Sequence, residues 1–461
     1  MGVAAAKLAT APKAATTTTA RPQARSPAAA ASIAATPAAV SLISHALHVQ
    51  EPAVAKVTEP DVDGRAGLLQ DGAPSPACMW RVIQGADDWR GLVEPLHPLL
   101  RAEIVRYGEL VAACYRAFER DPRSRRYLNC KHGKKQMLPA VGLAGAGYVV
   151  TKYVYAAAPD VPLPMGAGRR HPSGGQSRWI GYVAVASDRE AARLGRRDIL
   201  VSFRGTVTGS EWVANFMSSL SPPRFDPADP RPDVRVQSGF LSLYTSDDVS
   251  GKFTTGSCRN QLLAEISRLV AEHRHEDISI TLAGHSMGSS LALLLGYDLA
   301  EIGLNSHPHG GAIPVTVFSF AAPRVGNLEF KNRCDELGVK VLRVVNVNDP
   351  VTKMPGFLFN ERARVLAGRY ELPWSKACYA HVGVEVGLDF FKAGDIACVH
   401  DLGAYIDQLL KCNDDGDVAI SSDSITEDEE GVGGRVASMF ETWRWQMAAI
   451  RAGEMIQALG I

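Results

Sequence analysis

The sequence predicts an α/β protein whose mainly parallel central sheet carries helices on both faces. Between positions 277 and 349, short apolar runs alternate with amphipathic runs at helical spacing, the pattern of buried strands joined by crossover helices. At one strand-to-helix junction stands GHSMG (284–288), a tight glycine-flanked turn that such a sheet uses to project a side chain above its edge. The chain has 461 residues, 46% hydrophobic and 21% charged, ample for one large core. One domain of roughly 250–330 residues plus tails fits better than several small ones.

In chain order, the first acidic residue is Glu51. Before it the chain is alanine, threonine, serine and proline, with Lys7, Lys13, Arg21 and Arg25 as its only formal charges. Such a stretch builds no core. Its lack of acid fits an organelle transit peptide over 1–50 rather than a plain disordered tail, with plastid ahead of mitochondrion because no regular basic amphipathic helix is visible. Residues 51–79 read as a linker, with Pro52, Pro60, Pro74 and Pro76. A domain over 80–411 follows, with order beginning near Trp80.

Within that domain, Leu99, Leu100, Ile104, Val105, Leu110, Val111 and Cys114 recur at helical spacing and predict an entry helix over 98–118. WIGYVAVASD (179–188) and RRDILVSFRGT (196–206) read as adjacent strands. EWVANF (211–216) reads as a short amphipathic helix, and residues 259–272 as a stronger one. Then come strand 277–284, helix 287–301, strand 315–323, helix 327–338 and strand 339–349. An acidic linker over 412–434, with TEDEE at 426–430, leads to a last amphipathic helix over 435–461.

Composition excludes several functions. With 49 basic and 49 acidic residues the formal net charge is zero, so no overall field draws the chain to nucleic acid or an anionic bilayer. The eight cysteines are scattered, without a C-x-x-C pair or a cysteine–histidine cluster, so neither a disulfide framework nor a metal site is expected. No stretch reaches the ~18–20 apolar residues of a membrane span. The nearest, 138–150, is short, glycine-rich and followed by Lys152.

The chemistry centres on Ser286. A serine hydroxyl is a weak nucleophile at neutral pH and needs a histidine base steadied by an acid. In a nucleophile elbow these follow the serine along the chain in the order acid, histidine. Asp349, in VVNVNDPVTKMPG, stands where Pro350 stops a strand. Asp335 falls inside a helix, and Asp389 and Asp395 come too late. Beyond Asp349 only His381 and His400 remain. His381 lies in YAHVGVEV, which alternates like a strand, whereas His400 in CVHDLGAYI stands on a loop entering a helix and is the better placed of the two. The elbow turns the neighbouring His285 away. An oxyanion needs two donors, here the N–H of Met287 and a group from FRGT (203–206), where Thr206 offers an N–H and a hydroxyl. After it, VTGSEWVANFMSSLSPPRF (207–225) groups Trp212, Val213, Phe216 and Met217 on one helical face. Core packing and a lid presenting its apolar face both remain open for that segment.

These motifs resemble the class 3 (fungal-type) lipases, most closely the plant plastid phospholipase A1 branch related to the anther-dehiscence lipase. The similarity runs from Trp89 to Leu409 through WRGLVEPLHPLLRAEIVRYGELVAACY, WIGYVAVA, LGRRDILVSFRGT, GHSMGSSLALL, FAAPRVGN, VVNVNDPVTKMPG, YAHVGVE and HDLGAYI. The resemblance implies an α/β-hydrolase fold, no cofactor, and release of sn-1 acyl chains from phospholipids or galactolipids at a membrane surface, feeding oxylipin or jasmonate synthesis. It also implies Ser286 as nucleophile, Asp349 as acid and His400 as base. Three features depart from the branch: FRGT in place of WRGT, HDLGAY in place of HDLEAY, and an unfamiliar tail after Lys411. A triacylglycerol or monoacylglycerol lipase, or a silent lipase-like regulator, is the alternative expectation.

Overall fold

A computed structural model describes residues 75–157, 177–207, 219–247, 256–307, 310–355, 378–392 and 396–411. The expected transit peptide, nearly all of the 51–79 linker, the 211–216 helix, the acidic linker and the last helix lie outside these residues. Eleven strands are described: β1 Tyr148–Ala157, β2 Ser177–Ala186, β3 Arg197–Phe203, β4 Leu220–Ser221, β5 Val236–Gln237 and β6 Ile278–His285. β7 Val315–Phe320, β8 Gly326–Asn327, β9 Lys340–Asn346, β10 Tyr379–Ala380 and β11 Val384–Leu388 complete the set.

Seven strands form the main sheet in the order β1-β2-β3-β6-β7-β9-β11. β3, β6, β7, β9 and β11 run parallel, while β1 and β2 pair antiparallel at one edge. Side chains alternate between the two faces, as period-two backbone requires. Ile199, Val201, Ile280, Leu282, Val317 and Val341 join one apolar cluster, with helices Ser238–Thr245, Cys258–Glu272, Met287–Glu301 and Leu328–Glu336. Leu200, Ala283, Phe318, Phe320, Leu342 and Val344 join the other, under helices Pro76–Ile83, Pro98–Ala117 and Leu402–Lys411. Both faces are therefore covered. Neither side of the central strands meets water, so their apolar residues are buried on both faces, and polar members such as Asp198, Ser279 and Thr281 are buried in hydrogen bonds to one another.

The structure departs from expectation in four places. Helix Pro76–Ile83 starts inside the segment read as linker, with Ser75 before it and Pro76 in the first turn, where a missing N–H costs nothing. β1 carries Thr151 and Lys152 at a register shift against β2, so its apolar alternation is broken in the sequence. YAHVGVEV is two strands rather than one. β10 and β11 belong to different sheets, and between them Gly383 takes φ +91, where a Cβ would collide with the Val341 carbonyl. Finally, β10, β8, β5 and β4 form a second small sheet of two-residue strands, too short to leave any period.

Candidate active site

In parallel sheets of this kind, reactive groups gather beyond the carboxyl ends of the strands. Ser286 follows β6, the FRGT loop leaves β3 and Asp349 lies three residues past β9. His400 arrives from far along the chain, at the end of the 3-10 turn Ile396–His400 that enters helix Leu402–Lys411.

The elbow is strained as its motif requires. Ser286 has φ 55 and ψ −125, outside the regions that a side chain ordinarily tolerates. Neighbouring bonds hold it there. The Ser286 N–H donates to the Phe320 carbonyl at 2.8 Å, and the Ser289 hydroxyl bonds to both the Gly284 and Phe320 carbonyls at 2.5 and 3.0 Å. Gly284 is small because a Cβ there would strike the Gly288 backbone. Gly288 is small for a different reason: a Cβ would stand 2.5–2.6 Å from the carbonyls of Arg204 and Phe203, at the end of β3 rather than on β6. Ser286 occupies the cap position of helix Met287–Glu301 without capping it, so its hydroxyl is left for other partners.

That hydroxyl lies 2.9 Å from Nε2 of His400, whose Nδ1 lies 2.6 Å from Oδ2 of Asp349. A carboxylate only accepts, so Nδ1 carries the ring proton and Nε2 presents its lone pair to the serine O–H. Ser286, Asp349 and His400 are all buried. The structure thus brings together three residues separated by as many as 114 positions. His381 stands in the turn between β10 and β11. The ring bonded to both Ser286 and Asp349 is that of His400. Asp335 pairs with Lys331 on a helix surface, and Asp389 is exposed and accepts from Asn348. Asp395 and the four apolar residues Trp212, Val213, Phe216 and Met217 lie outside the described residues.

Met287 is the first helical residue, where an N–H has no intrahelical partner, and the positive end of the helix dipole adds to its pull on an anion. Thr206 is buried in the loop leaving β3. Arg204, a residue the sequence reading passed over, clamps that loop. Its guanidinium is wholly buried over the Phe118 ring at 4.4 Å and donates to the carbonyls of Trp179 and Gly205. Chain-distant Trp179 and Phe118 gave no local signal of this.

Tyr405 was also missed. Its hydroxyl donates to Asp349 Oδ2 at 3.0 Å and accepts from the Asn346 N–H at 3.0 Å, while the Val351 N–H donates to Oδ1 at 2.9 Å. Burial, and then the adjacent Asp349 charge, hold the phenol well above the usual tyrosine range, so it remains a donor. Asp349 is thereby aimed by two donors besides the imidazole. Tyr405→Phe is expected to lower kcat roughly 10–100-fold at nearly constant KM, since a hydrogen bond to a charged group contributes about 1.5–3 kcal/mol. Steady-state kinetics on a soluble ester check it; a change confined to KM would contradict the positioning role.

Among the described residues no helix is long and apolar enough to cross a membrane, and no cluster of acidic, histidine or cysteine side chains is arranged to hold a metal. Residues 200–359 match the family Lipase (class 3). Phospholipase A1-Ialpha2, chloroplastic, from Arabidopsis thaliana is 62% identical over 337 residues, 72% of this chain and 68% of that protein. Phospholipase A1 EG1, chloroplastic/mitochondrial, from Oryza sativa subsp. indica is 54% identical over 432 residues, 92% of this chain and 94% of that one. Galactolipase DONGLE, chloroplastic, from Arabidopsis thaliana is 61% identical over 330 residues, 71% and 69% of the two chains. The five parallel strands, the elbow between β6 and its helix, and relatives of this identity lead to one assignment: the chain belongs to the class 3 lipases, in their plant phospholipase A1 branch.

Proposed function

We propose that the chain is a phospholipase A1 or galactolipase, a serine acylhydrolase that releases sn-1 fatty acids from glycerolipids at a membrane surface. The observation that carries this reading is the unbroken hydrogen-bonded line from Asp349 through His400 to the Ser286 hydroxyl. Relatives named as phospholipase A1 and galactolipase supply the substrate class.

The geometry supports the following course of reaction. Ser286 Oγ attacks the ester carbonyl as its proton passes to His400 Nε2, and Asp349 stabilises the imidazolium that forms. The N–H of Met287 and the donors of Thr206 hold the oxyanion, each such donor contributing about 2.7–4 kcal/mol in the transition state. His400 returns the proton to the departing lysolipid alkoxide. Water, activated by the same imidazole, then frees the acyl chain. No cofactor enters any step. The relatives' names, together with the acid-free 1–50 segment, support a plastid location.

Incubating the full chain with mixed micelles of phosphatidylcholine, monogalactosyldiacylglycerol and triacylglycerol, and identifying products by mass, tests the substrate class. The expected products are 2-acyl lysolipids and free fatty acid. Fatty acid drawn from triacylglycerol alone would replace this reading with that of a storage-lipid lipase.

A further inference from the structure

We propose that Tyr115 and His285 act as one positioning unit that fixes the oxyanion loop against the nucleophile elbow and the backbone of His400. The inference rests on the roles given above to Ser286, His400 and Thr206. His285 precedes the nucleophile and points away from it, yet its ring is buried, 5.0 Å from the His400 ring centre. Its Nε2 lies 3.0 Å from the His400 carbonyl, and its Nδ1 lies 2.7 Å from the Tyr115 hydroxyl. Tyr115, in helix Pro98–Ala117, also meets the Gly205 N–H at 2.6 Å.

The direction of every hydrogen in this line is determined. A backbone carbonyl only accepts, so His285 Nε2 must donate to His400. Burial, and then the nearby His400 ring, push the His285 pKa well below the ordinary histidine value, so the imidazole is neutral and Nδ1 carries a lone pair. The Tyr115 hydroxyl therefore donates to Nδ1, and its oxygen is free to accept from Gly205. One line thus joins three pieces of the site: the loop bearing Thr206, the strand end bearing Ser286, and the turn bearing His400.

The packing leaves this line no slack. A Cβ on Gly205 would stand 2.5 Å from the Tyr115 hydroxyl, 2.9 Å from the His285 carbonyl and 3.1 Å from the Ser286 Cβ. The loop is wedged between the tyrosine and the elbow. Its Gly205 N–H is committed to Tyr115, so the donors it would offer an oxyanion are those of Thr206. Losing the tyrosine hydroxyl removes the partner that sets how far Thr206 stands from the reacting carbon. A displacement of about 1 Å in such a donor costs on the order of a hundredfold in rate.

The full chain and its Tyr115→Phe, His285→Asn, His285→Gln and Tyr115→Phe/His285→Gln variants test this. Readouts are kcat and KM on p-nitrophenyl butyrate, inhibition by an alkyl trifluoromethyl ketone, Ser286 labelling by a fluorophosphonate, and thermal melting. Tyr115→Phe is expected to lower kcat roughly 10–100-fold with KM within about twofold, and to weaken the ketone by a similar factor. Asparagine places an acceptor oxygen where Nδ1 stood, so His285→Asn should keep kcat within about tenfold. Glutamine keeps only the donor to His400 and should fall as far as Tyr115→Phe, with the double variant no lower than either. A Tyr115→Phe variant within twofold of the parent, or losses in the double variant that multiply, would overturn the proposal. If Tyr115→Phe does not fold, the contrast between asparagine and glutamine decides alone, and equal rates for those two variants would overturn it. A parent chain that neither hydrolyses the ester nor takes the fluorophosphonate would bring down the Ser286 reading, and this inference with it.

Discussion

Replacing Ser286 by alanine is expected to lower kcat for ester hydrolysis by roughly a millionfold while leaving the protein folded, the loss met when the nucleophile of a serine triad is removed. Alanine keeps a Cβ, so it neither relieves nor worsens the φ 55 backbone of the elbow. The bonds that hold this turn use the Ser286 N–H and the Ser289 hydroxyl, and neither is touched by the substitution. Among the described residues only His400 Nε2 loses a partner. The residual rate would come from the oxyanion donors and substrate binding. Fluorophosphonate labelling, ester turnover and a thermal melt check the prediction together. An alanine variant that melts like the parent and still turns over ester would end the nucleophile assignment.

The second large effect falls on Asp349. Asp349→Asn is expected to cut kcat about ten-thousandfold, because the amide dictates the wrong imidazole tautomer. The direction follows from the partners. The Val351 N–H donates to Oδ1, so the amide oxygen settles there and the NH2 takes the Oδ2 position. There it faces His400 Nδ1 and the Tyr405 hydroxyl. Nδ1 must then accept, the ring proton moves to Nε2, and the ring can no longer take the serine proton. Burial of the site keeps water from restoring the correct arrangement. NMR of the His400 ring nitrogens would locate the proton, and kcat would report the consequence. A variant within tenfold of the parent would remove Asp349 from the mechanism.

The two sites of substitution differ in how openly the sequence announces them. Ser286 is announced locally: apolar strand, glycine, serine, glycine and apolar helix follow within a few residues, and only one kind of turn joins them. Asp349 is nearly as plain, because it follows an apolar strand and stands directly before Pro350, although β9 itself already ends at Asn346. His400 is less so. Position left His381 in contention, and the resemblance favoured His400 before the geometry placed its ring between the other two. The broken strand at Gly383 shows why His381 was hard to judge, since alternation continued through a residue at which the chain changes sheets.

The sequence by itself determined the layered α/β plan and the nucleophile turn, because hydrophobic period and glycine spacing are properties of neighbouring residues. Tertiary structure alone decided which groups support that turn. Tyr405 reaches Asp349 across 56 positions, Tyr115 reaches His285 across 170, and Arg204 donates to the Trp179 carbonyl while lying over the Phe118 ring. None of these partners has a sequence period, since a hydrogen bond between distant elements depends on where the sheet brings their ends together. The edge strand β1 and the two-residue strands β4, β5 and β8 escaped notice for the same reason: pairing with a neighbour, rather than their own pattern, makes them strands.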